Sequence, residues 1–534
     1  MKIEANHMAD ALFRSLKKKS NRLPLVDYGL PGPFICSRKK LLLLSVKLAG
    51  YLRKNCKSQR IGIVLPPGLA GAIANLAVFF AGKTPVNLNF SLGSSVAEKL
   101  IQKADIKTII TAEKMMDKFS DFPWTNDIFE ISAWLKKLAN MPYLLLREVL
   151  FLLLPLSLSR FFLKIPTKAI STEATILFTS GSSGDPKGVV LSHQNILSNC
   201  SQINQLGLFG EDARLLANLP LFHSFGFTVA TCFPLLYDVP IVTVPSPLDV
   251  RAGLEAIRKE KITFLLGTPT FLRGFLSRGK PEDFESLKYV VAGAEKTEDS
   301  FRVQWEKFAS CSYLEGYGLT ETAPGISFNL PNDGFRKGSV GRLFHEVECK
   351  TIHPETRQDL KKGETGILCF RGPNIFSGYL NDVTKTDEVL TTKKWFITGD
   401  IGYLDEAHFL FIKGRLSRFS KIGGEMVPHE TIEGEIKKLL TNSGDEETSL
   451  VVVGQPDQNK GEQLVLVTEQ EIDFPELRKK LSENGLPNLW IPKKVLKIDE
   501  IPILPTGKID IQGVTSLIGK SLNGLRLTNH NTSN

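Results

Sequence analysis

The chain has 534 residues, too many for one ordinary hydrophobic core, so at least two domains are expected. Its 42% hydrophobic and 23% charged composition excludes a disordered or fibrous chain and fits a globular one. Seven scattered cysteines with no Cys-x-x-Cys pair argue against structural zinc and a disulfide framework, and fit a reducing cytoplasm.

The net charge of +9 is concentrated at one end: residues 1–60 hold fourteen Lys or Arg against three acids. Such an end, with Lys17-Lys18-Lys19 and Arg38-Lys39-Lys40, would attract anionic lipid or an acidic protein, or form a plain solvated face. Nucleic acid ranks last, because no aromatic-interleaved basic motif accompanies the charge. The first residues lack the apolar core of a signal peptide, so a cytoplasmic protein is expected, with peripheral contact at the inner membrane face as an option.

Residues 60–110 alternate apolar strands, Ile61–Leu65 and Thr108–Ile110, with helical stretches, a βαβ rhythm. Tyr143 to Ile165 is rich in Leu and Phe, but its charge-free run, Val149 to Ser159, contains Pro155 and is too short to span a bilayer. A buried or domain-packing helix is the plain reading of this segment, and a helix lying on a membrane surface is the alternative.

Ala174–Phe178 reads as a buried strand entering Thr179-Ser180-Gly181-Ser182-Ser183-Gly184-Asp185-Pro186-Lys187-Gly188. Its glycines allow close backbone approach, its hydroxyls and N–H groups suit phosphate oxygens, and Lys187 adds a mobile charge. The spacing is not that of a Walker A loop. His223 follows in Leu219-Pro220-Leu221-Phe222-His223-Ser224-Phe225-Gly226, where it is either a pocket residue or packed core, and Phe222, Phe225 and Phe227 either line a channel or fill the core.

The βαβ rhythm returns in Ile262–Leu266 and Tyr289–Ala292, so a large α/β domain is expected, with ligands at the carboxyl ends of its strands. After Gly402 the pattern changes. Phe409–Ile412 and Thr448–Gly454 read as strands of a smaller α+β unit. The tail after Gly519 reads as loosely ordered, and no internal repeat is apparent.

Four further motifs follow the Ser/Gly-rich loop in order: Tyr317-Gly318-Leu319-Thr320-Glu321, Trp395–Asp400, Gly414-Arg415 and Pro505-Thr506-Gly507-Lys508. Singly, an Asp after Thr-Gly is a turn residue, an Arg is solvated and Pro-Thr-Gly-Lys is a β-turn. As an ordered set over nearly the whole chain, they resemble the adenylate-forming (AMP-binding) superfamily of acyl-CoA synthetases, luciferases and peptide-synthetase adenylation domains. The stretches around His223, Val290–Lys296, Leu314–Gly318, Arg418–Val427 and Gly82–Phe90 resemble one branch more narrowly. That branch is the acyl-acyl carrier protein synthetase half of bifunctional 2-acylglycerophosphoethanolamine acyltransferase/acyl-carrier-protein synthetase. No His-x-x-x-x-Asp acyltransferase motif precedes Gly82, so a freestanding synthetase is expected.

The resemblance implies a large N-terminal α/β adenylation domain over 1–416 and a small mobile α+β domain over 417–534. It implies that Thr179, Ser180, Gly181, Ser182, Ser183, Gly184 and Lys187 hold ATP phosphates, with Thr320 bonding phosphate and Glu321 holding Mg²⁺. Gly293, Ala294 and Glu295, with Glu315, Gly316, Tyr317 and Gly318, would form the adenine wall. Asp400 would accept the ribose hydroxyls, and Arg415 would contact ribose or phosphate. Lys508 would bridge the fatty-acid carboxylate and the α-phosphate, and His223 would orient the carboxylate or gate its channel. Ser417, where the family more often carries Asp or Lys, would be the pivot. Lys421, Gly423, Gly424 and Glu425 would line the tunnel for a phosphopantetheine thiol.

The implied reaction joins a long-chain fatty acid to acyl carrier protein using ATP. Coenzyme A is the alternative thiol. A membrane-surface fatty-acid binding or regulatory protein with a degenerate nucleotide site is a second alternative.

Overall fold

The computed structural model describes residues 6–18, 20, 22, 25–30, 32–168, 173–179, 186–334, 336–423, 425–441, 449–457, 461–502, 509–511 and 513–518. A large α/β domain and a smaller C-terminal α+β domain share four sheets of 13, 4, 3 and 5 strands.

The four-stranded sheet is wholly parallel, ordered Thr84–Asn87, Arg60–Val64, Thr108–Thr111, Asp127–Glu130. The helix Leu69–Phe80 is apolar on every side, and all its residues but Ala70 are buried, as a helix enclosed in a core requires. The 13-stranded sheet has two halves. Strands Leu25–Asp27, Ile241–Thr243, Leu215–Ala217, Phe264–Gly267, Tyr289–Ala292 and Ser312–Gly318 run parallel, with Phe34–Cys36 antiparallel on the outer edge beside Leu25–Asp27. Beyond Glu315 the last of these pairs antiparallel with Gly325–Phe328, and the sheet continues antiparallel through Ser339–Leu343, Phe409–Arg415, Phe396–Leu404, Gly366–Arg371 and Glu348–Ile352. Ser312–Gly318 is therefore the strand at which the pairing changes sense. Ligands in open α/β sheets gather beyond the carboxyl ends of the parallel strands.

Phe409–Ile412, expected in the small unit, lies in the large sheet between Ser339–Leu343 and Phe396–Leu404. Its continuous apolar run reads the same in either sheet, and only distant pairing decides. The five-stranded sheet begins at Phe419–Ile422, pairs with Glu425–Pro428, and continues through Gly461–Thr468 to Leu450–Asp457 and Lys494–Lys497. Its period-2 pattern is buried on both faces. Leu464 and Leu466 join one cluster with helices His429–Thr441 and Phe474–Glu483, whereas Val465 and Val467 join another with Val514 and Ile518.

Part of the basic N-terminal end is consumed inside the fold. Lys17 donates to the carbonyls of Leu152 and Leu154 at 2.6 and 2.7 Å and to Ser159 Oγ at 2.7 Å. Arg38 is buried, paired with Asp238 and bonded to the Ser15 carbonyl, and Arg53 caps the carbonyls of Phe80 and Leu163. Lys17 is thus an internal pin, which corrects the reading of it as part of an open patch; Lys18, Lys39, Lys40, Lys54 and Lys57 are exposed, and Lys19 lies outside the described residues.

The Tyr143–Ile165 segment is not a buried helix. It forms a short 3₁₀ turn, Pro142–Leu145, and two helices, Leu146–Leu153 and Leu156–Phe162, separated at Pro155, with several large apolar side chains facing solvent. No helix among the described residues is long and apolar enough to cross a membrane. All seven cysteines are free thiols.

Candidate active site

The Ser/Gly-rich loop closes a hairpin. Thr179 ends strand Glu173–Thr179, Lys187 opens strand Lys187–Ser192, and the two residues are register partners. Ser180, Gly181, Ser182, Ser183 and Gly184 lie outside the described residues, as do Gly424 and Lys508. On the far side of Lys187–Ser192 runs the two-residue strand Gly378–Tyr379. Tyr379 links two expected site residues. Its hydroxyl donates to Glu321 Oε1 at 2.9 Å, and the Lys187 ammonium lies 5.2 Å from its ring centroid.

Thr320 and Glu321 begin a single 3₁₀ turn directly after the switch strand. The Glu321 carbonyl accepts the Phe376 N–H at 2.8 Å, so backbone and side chain are both fixed against the segment carrying Tyr379. Gly318 admits no side chain here, because a Cβ would sit 2.0 Å from the Pro324 carbonyl oxygen.

Tyr317, Asp400 and Arg415 form a second cluster. Asp400 is buried in strand Phe396–Leu404 and is the cross-strand partner of Arg415. One carboxylate oxygen accepts the Tyr317 hydroxyl at 2.5 Å, and the other faces Arg415 Nε at 3.2 Å. Burial, then the Asp400 charge, holds the Tyr317 hydroxyl well above the ordinary phenol range. Asp400 is thus a buried acceptor in a strand, not an isolated turn residue. The two clusters adjoin along the chain, since Tyr317 lies at the end of the switch strand and Glu321 in the turn that follows it.

Gly293, Ala294 and Glu295 leave the carboxyl end of strand Tyr289–Ala292. Ala294 has φ +69°, a conformation that L residues hold only when surroundings impose it. A Cβ at Gly293 would lie 3.5 Å from the Phe225 ring and 3.6 Å from the Gly316 carbonyl, so this loop, the switch strand and the His223 segment meet. Glu295 accepts from Thr270 N and Oγ1 at 3.2 and 2.7 Å. Burial raises the Glu315 carboxyl above its usual range, with hydrogen bonding from Thr297 opposing.

His223 is exposed, its ring 4.7 Å from that of Phe222, so the packed-core reading of this residue is overturned. Of its phenylalanine neighbours, Phe227 is fully buried core, Phe222 meets Phe90 edge-on at 5.3 Å, and half-buried Phe225 faces Gly293. The chain from Phe225 to Cys232 is a π-helix, a form concentrated at functional sites.

Ser417 occupies one 3₁₀ turn, Leu416–Arg418, between the large and small sheets. Two residues earlier, Arg415 is tied to Asp400. One residue later, Arg418 is buried, pairs with Glu433 and donates to the Val452 carbonyl at 3.0 Å. Lys421 pairs with Glu355, and Glu425 accepts the Trp490 indole N–H at 2.9 Å. Gly423 has φ +59° in the tight hairpin between them. Glu430, at the start of helix His429–Thr441, approaches Gly414, and burial raises its carboxyl above the ordinary range. Tyr379 and Glu430 carried no signal in the sequence, because each is defined by a partner elsewhere in the chain, Glu321 and Gly414.

Comparison with known proteins matches residues 13–380 to the AMP-binding enzyme family. The chain belongs to that family. It is 30% identical over 349 residues to the mitochondrial medium-chain acyl-CoA ligase ACSF2 of Rattus norvegicus, covering 62% of this chain and 55% of the relative. It is 30% identical over 362 residues to indoleacetate–CoA ligase of Aromatoleum aromaticum, covering 66% of this chain and 69% of the relative. The match to 4-coumarate–CoA ligase 1 of Petroselinum crispum is weaker, at 26% identity, but spans 93% of this chain and 91% of the relative. The match spans 55% of the rat ligase and 62% of the probable CoA ligase CCL5 of Humulus lupulus, little more than half of those relatives' length.

The fold is shared with ATP-bound MatB from Rhodopseudomonas palustris at a TM-score of 0.78, 24% identity, and coverage of 95% of this chain and 98% of that one. It is shared too with Bacillus subtilis O-succinylbenzoate coenzyme A synthetase, MenE, in complex with ATP and magnesium ion, at a TM-score of 0.74, 21% identity, and coverage of 94% and 98%.

Proposed function

We propose that this chain is an AMP-forming ligase that activates a long-chain fatty acid as its acyl-adenylate and passes the acyl group to a thiol. The observation that carries the reading is the adjacency of two clusters, Lys187–Tyr379–Glu321 and Tyr317–Asp400–Arg415, at the strand where the large sheet changes sense. One offers a cation and a carboxylate for phosphate chemistry, and the other a ring and a buried acceptor for a nucleoside.

In this reading a fatty-acid carboxylate oxygen attacks the α-phosphorus of ATP, and pyrophosphate leaves. Lys187 and the Thr179–Gly184 loop hold the departing phosphates, Thr320 bonds phosphate, and Lys508 bridges the carboxylate and the α-phosphate. Tyr317 lies against adenine beside Gly293, Ala294, Glu295, Glu315, Gly316 and Gly318, and Asp400 takes the ribose hydroxyls with Arg415 beside it. His223 sits where the acyl carboxylate enters.

Glu321 fits Mg²⁺, a hard ion that binds one or two carboxylates and takes its remaining oxygens from phosphate and water. Tyr379 occupies one of its oxygens and leaves the other available for the ion, which would neutralise phosphate charge. The division at 416/417 then separates the adenylating domain from a small one. That small domain turns about Ser417, the residue between the Arg415 and Arg418 anchor points, and brings Lys421, Gly423, Gly424 and Glu425 to the incoming thiol. The thiol sulfur attacks the acyl carbonyl, and AMP leaves.

The narrower resemblance around His223 and through Arg418–Val427 supports phosphopantetheine on acyl carrier protein as the thiol. The relatives are CoA ligases by name, which supports free coenzyme A as a second reading. Palmitate and ATP supplied with either holo-carrier protein or CoA decide between them. Acyl-carrier thioester at the higher kcat/KM is expected, and acyl-CoA as the dominant product would overturn the carrier reading.

A further inference from the structure

The two helices Leu146–Leu153 and Leu156–Phe162 bury polar groups while turning large apolar side chains to solvent. Their inward face is mixed: Phe151, Leu152 and Leu156 pack on the core, and buried polar groups lie beside them. Glu148 is fully buried between Lys47 and Arg147, at 3.3 and 2.6 Å, and Ser159, also fully buried, receives Lys17. Arg160 pairs with Asp10 at 2.7 Å, and Lys47 donates to the Leu144 carbonyl at 2.6 Å. Helices Met8–Lys17 and Arg38–Asn55 thus hold the pair down by charge and hydrogen bonds.

The outward face carries Tyr143, Leu146, Leu150, Leu153, Phe161 and Phe162, with Leu153 78% and Phe161 74% exposed. A surface helix of a soluble protein turns charged and polar residues to solvent, and a clustered exposed apolar face of this kind marks an interaction site.

The charge around the face selects the partner. Between Ile131 and Lys168 the only carboxylate is Glu148, which is buried, whereas Lys136, Lys137, Arg147, Lys164 and Lys168 are exposed. A second copy of the chain docking here on a two-fold axis would bring like charges together. An apolar face flanked in the chain by exposed cations matches a bilayer bearing anionic headgroups, with the rings and leucines entering the acyl boundary and the lysines meeting phosphate.

We infer that the Pro142–Phe162 helical pair is a docking surface by which the protein seats peripherally on an anionic membrane. The surface lies outside the adenylate site, and the inference holds whichever thiol accepts the acyl group.

The test uses the full chain with sedimented vesicles of phosphatidylcholine containing phosphatidylglycerol, and of phosphatidylcholine alone. The unmodified protein is expected to co-sediment with the anionic vesicles, less so as salt rises, and weakly with the neutral ones. The double variant Leu153→Glu/Phe161→Glu is expected to lose about tenfold or more in partitioning. Lys164→Glu is expected to weaken anionic binding alone. Both variants should keep an unchanged melting temperature and unchanged adenylation of a water-soluble short-chain acid.

Failure of the unmodified protein to bind anionic vesicles, or equal binding by the double variant, would overturn the inference. So would a concentration-dependent dimer abolished by the double variant. Transfer to carrier protein lost in solution while vesicle binding persists would also overturn it, assigning the face to the carrier.

Discussion

Lys508→Ala is expected to lower acyl-adenylate formation by at least about a hundredfold to a thousandfold, the usual cost of removing one preorganised group from a developing charge. The reaction brings a carboxylate against a polyphosphate, so two anions must meet. Lys187 is held at the Tyr379 ring beside Glu321, on the side that would receive the β- and γ-phosphates. A separate cation is then needed between the carboxylate and the α-phosphate, and the Pro505–Lys508 motif supplies the candidate. The same variant should largely retain thioester formation from chemically supplied acyl-adenylate, because rotation about Ser417 would carry Lys508 away before the thiol arrives. Single-turnover assays of each half-reaction read this directly. Equal loss in both would remove the lysine from its assigned role.

The second large effect is expected at Asp400. Asp400→Ala should weaken ATP binding tenfold to about a hundredfold, since a lost hydrogen bond to a charged group costs about 1.5–3 kcal/mol and 1.4 kcal/mol is a decade. The carboxylate is only 5% exposed and already orders the Tyr317 hydroxyl and the Arg415 guanidinium. Its loss therefore removes the ribose acceptor and also frees the ring expected against adenine. Asp400→Asn keeps an acceptor for Tyr317 but gives up the charge facing Arg415, so it should fall between the parent and the alanine variant. Equilibrium binding of ATP gives the comparison. An affinity unchanged in Asp400→Ala would exclude the ribose role.

Strands enclosed by sheet and helix were legible because burial on both sides leaves continuous apolar runs, as in Ala174–Phe178 and Tyr289–Ala292. The candidate site was legible where chemistry is written locally, in the Ser/Gly-rich loop and in Tyr317–Glu321. What connects those motifs was not. Tyr379 is separated from Glu321 by 58 positions, and a Gly-Tyr pair carries no local mark of the carboxylate it holds. Phe409–Ile412 is an apolar run that would suit either sheet, and its place in the large sheet depends on pairing with Phe396–Leu404. The apolar content of Tyr143–Ile165 was plain, but its outward face follows from buried Glu148 and from Lys17, more than a hundred residues away. Lys17 itself, one of a run of three lysines, gave no sign that it would be consumed internally.

The central claim is that this chain makes an acyl-adenylate. Fatty-acid-dependent exchange of labelled pyrophosphate into ATP, in the absence of any thiol, tests it most directly. The adjacent Lys187–Tyr379–Glu321 and Tyr317–Asp400–Arg415 clusters predict exchange that requires palmitate and Mg²⁺ and disappears in Lys508→Ala. Palmitate-dependent formation of ADP and phosphate, or ATP turnover with no pyrophosphate exchange at any fatty-acid concentration, would contradict it.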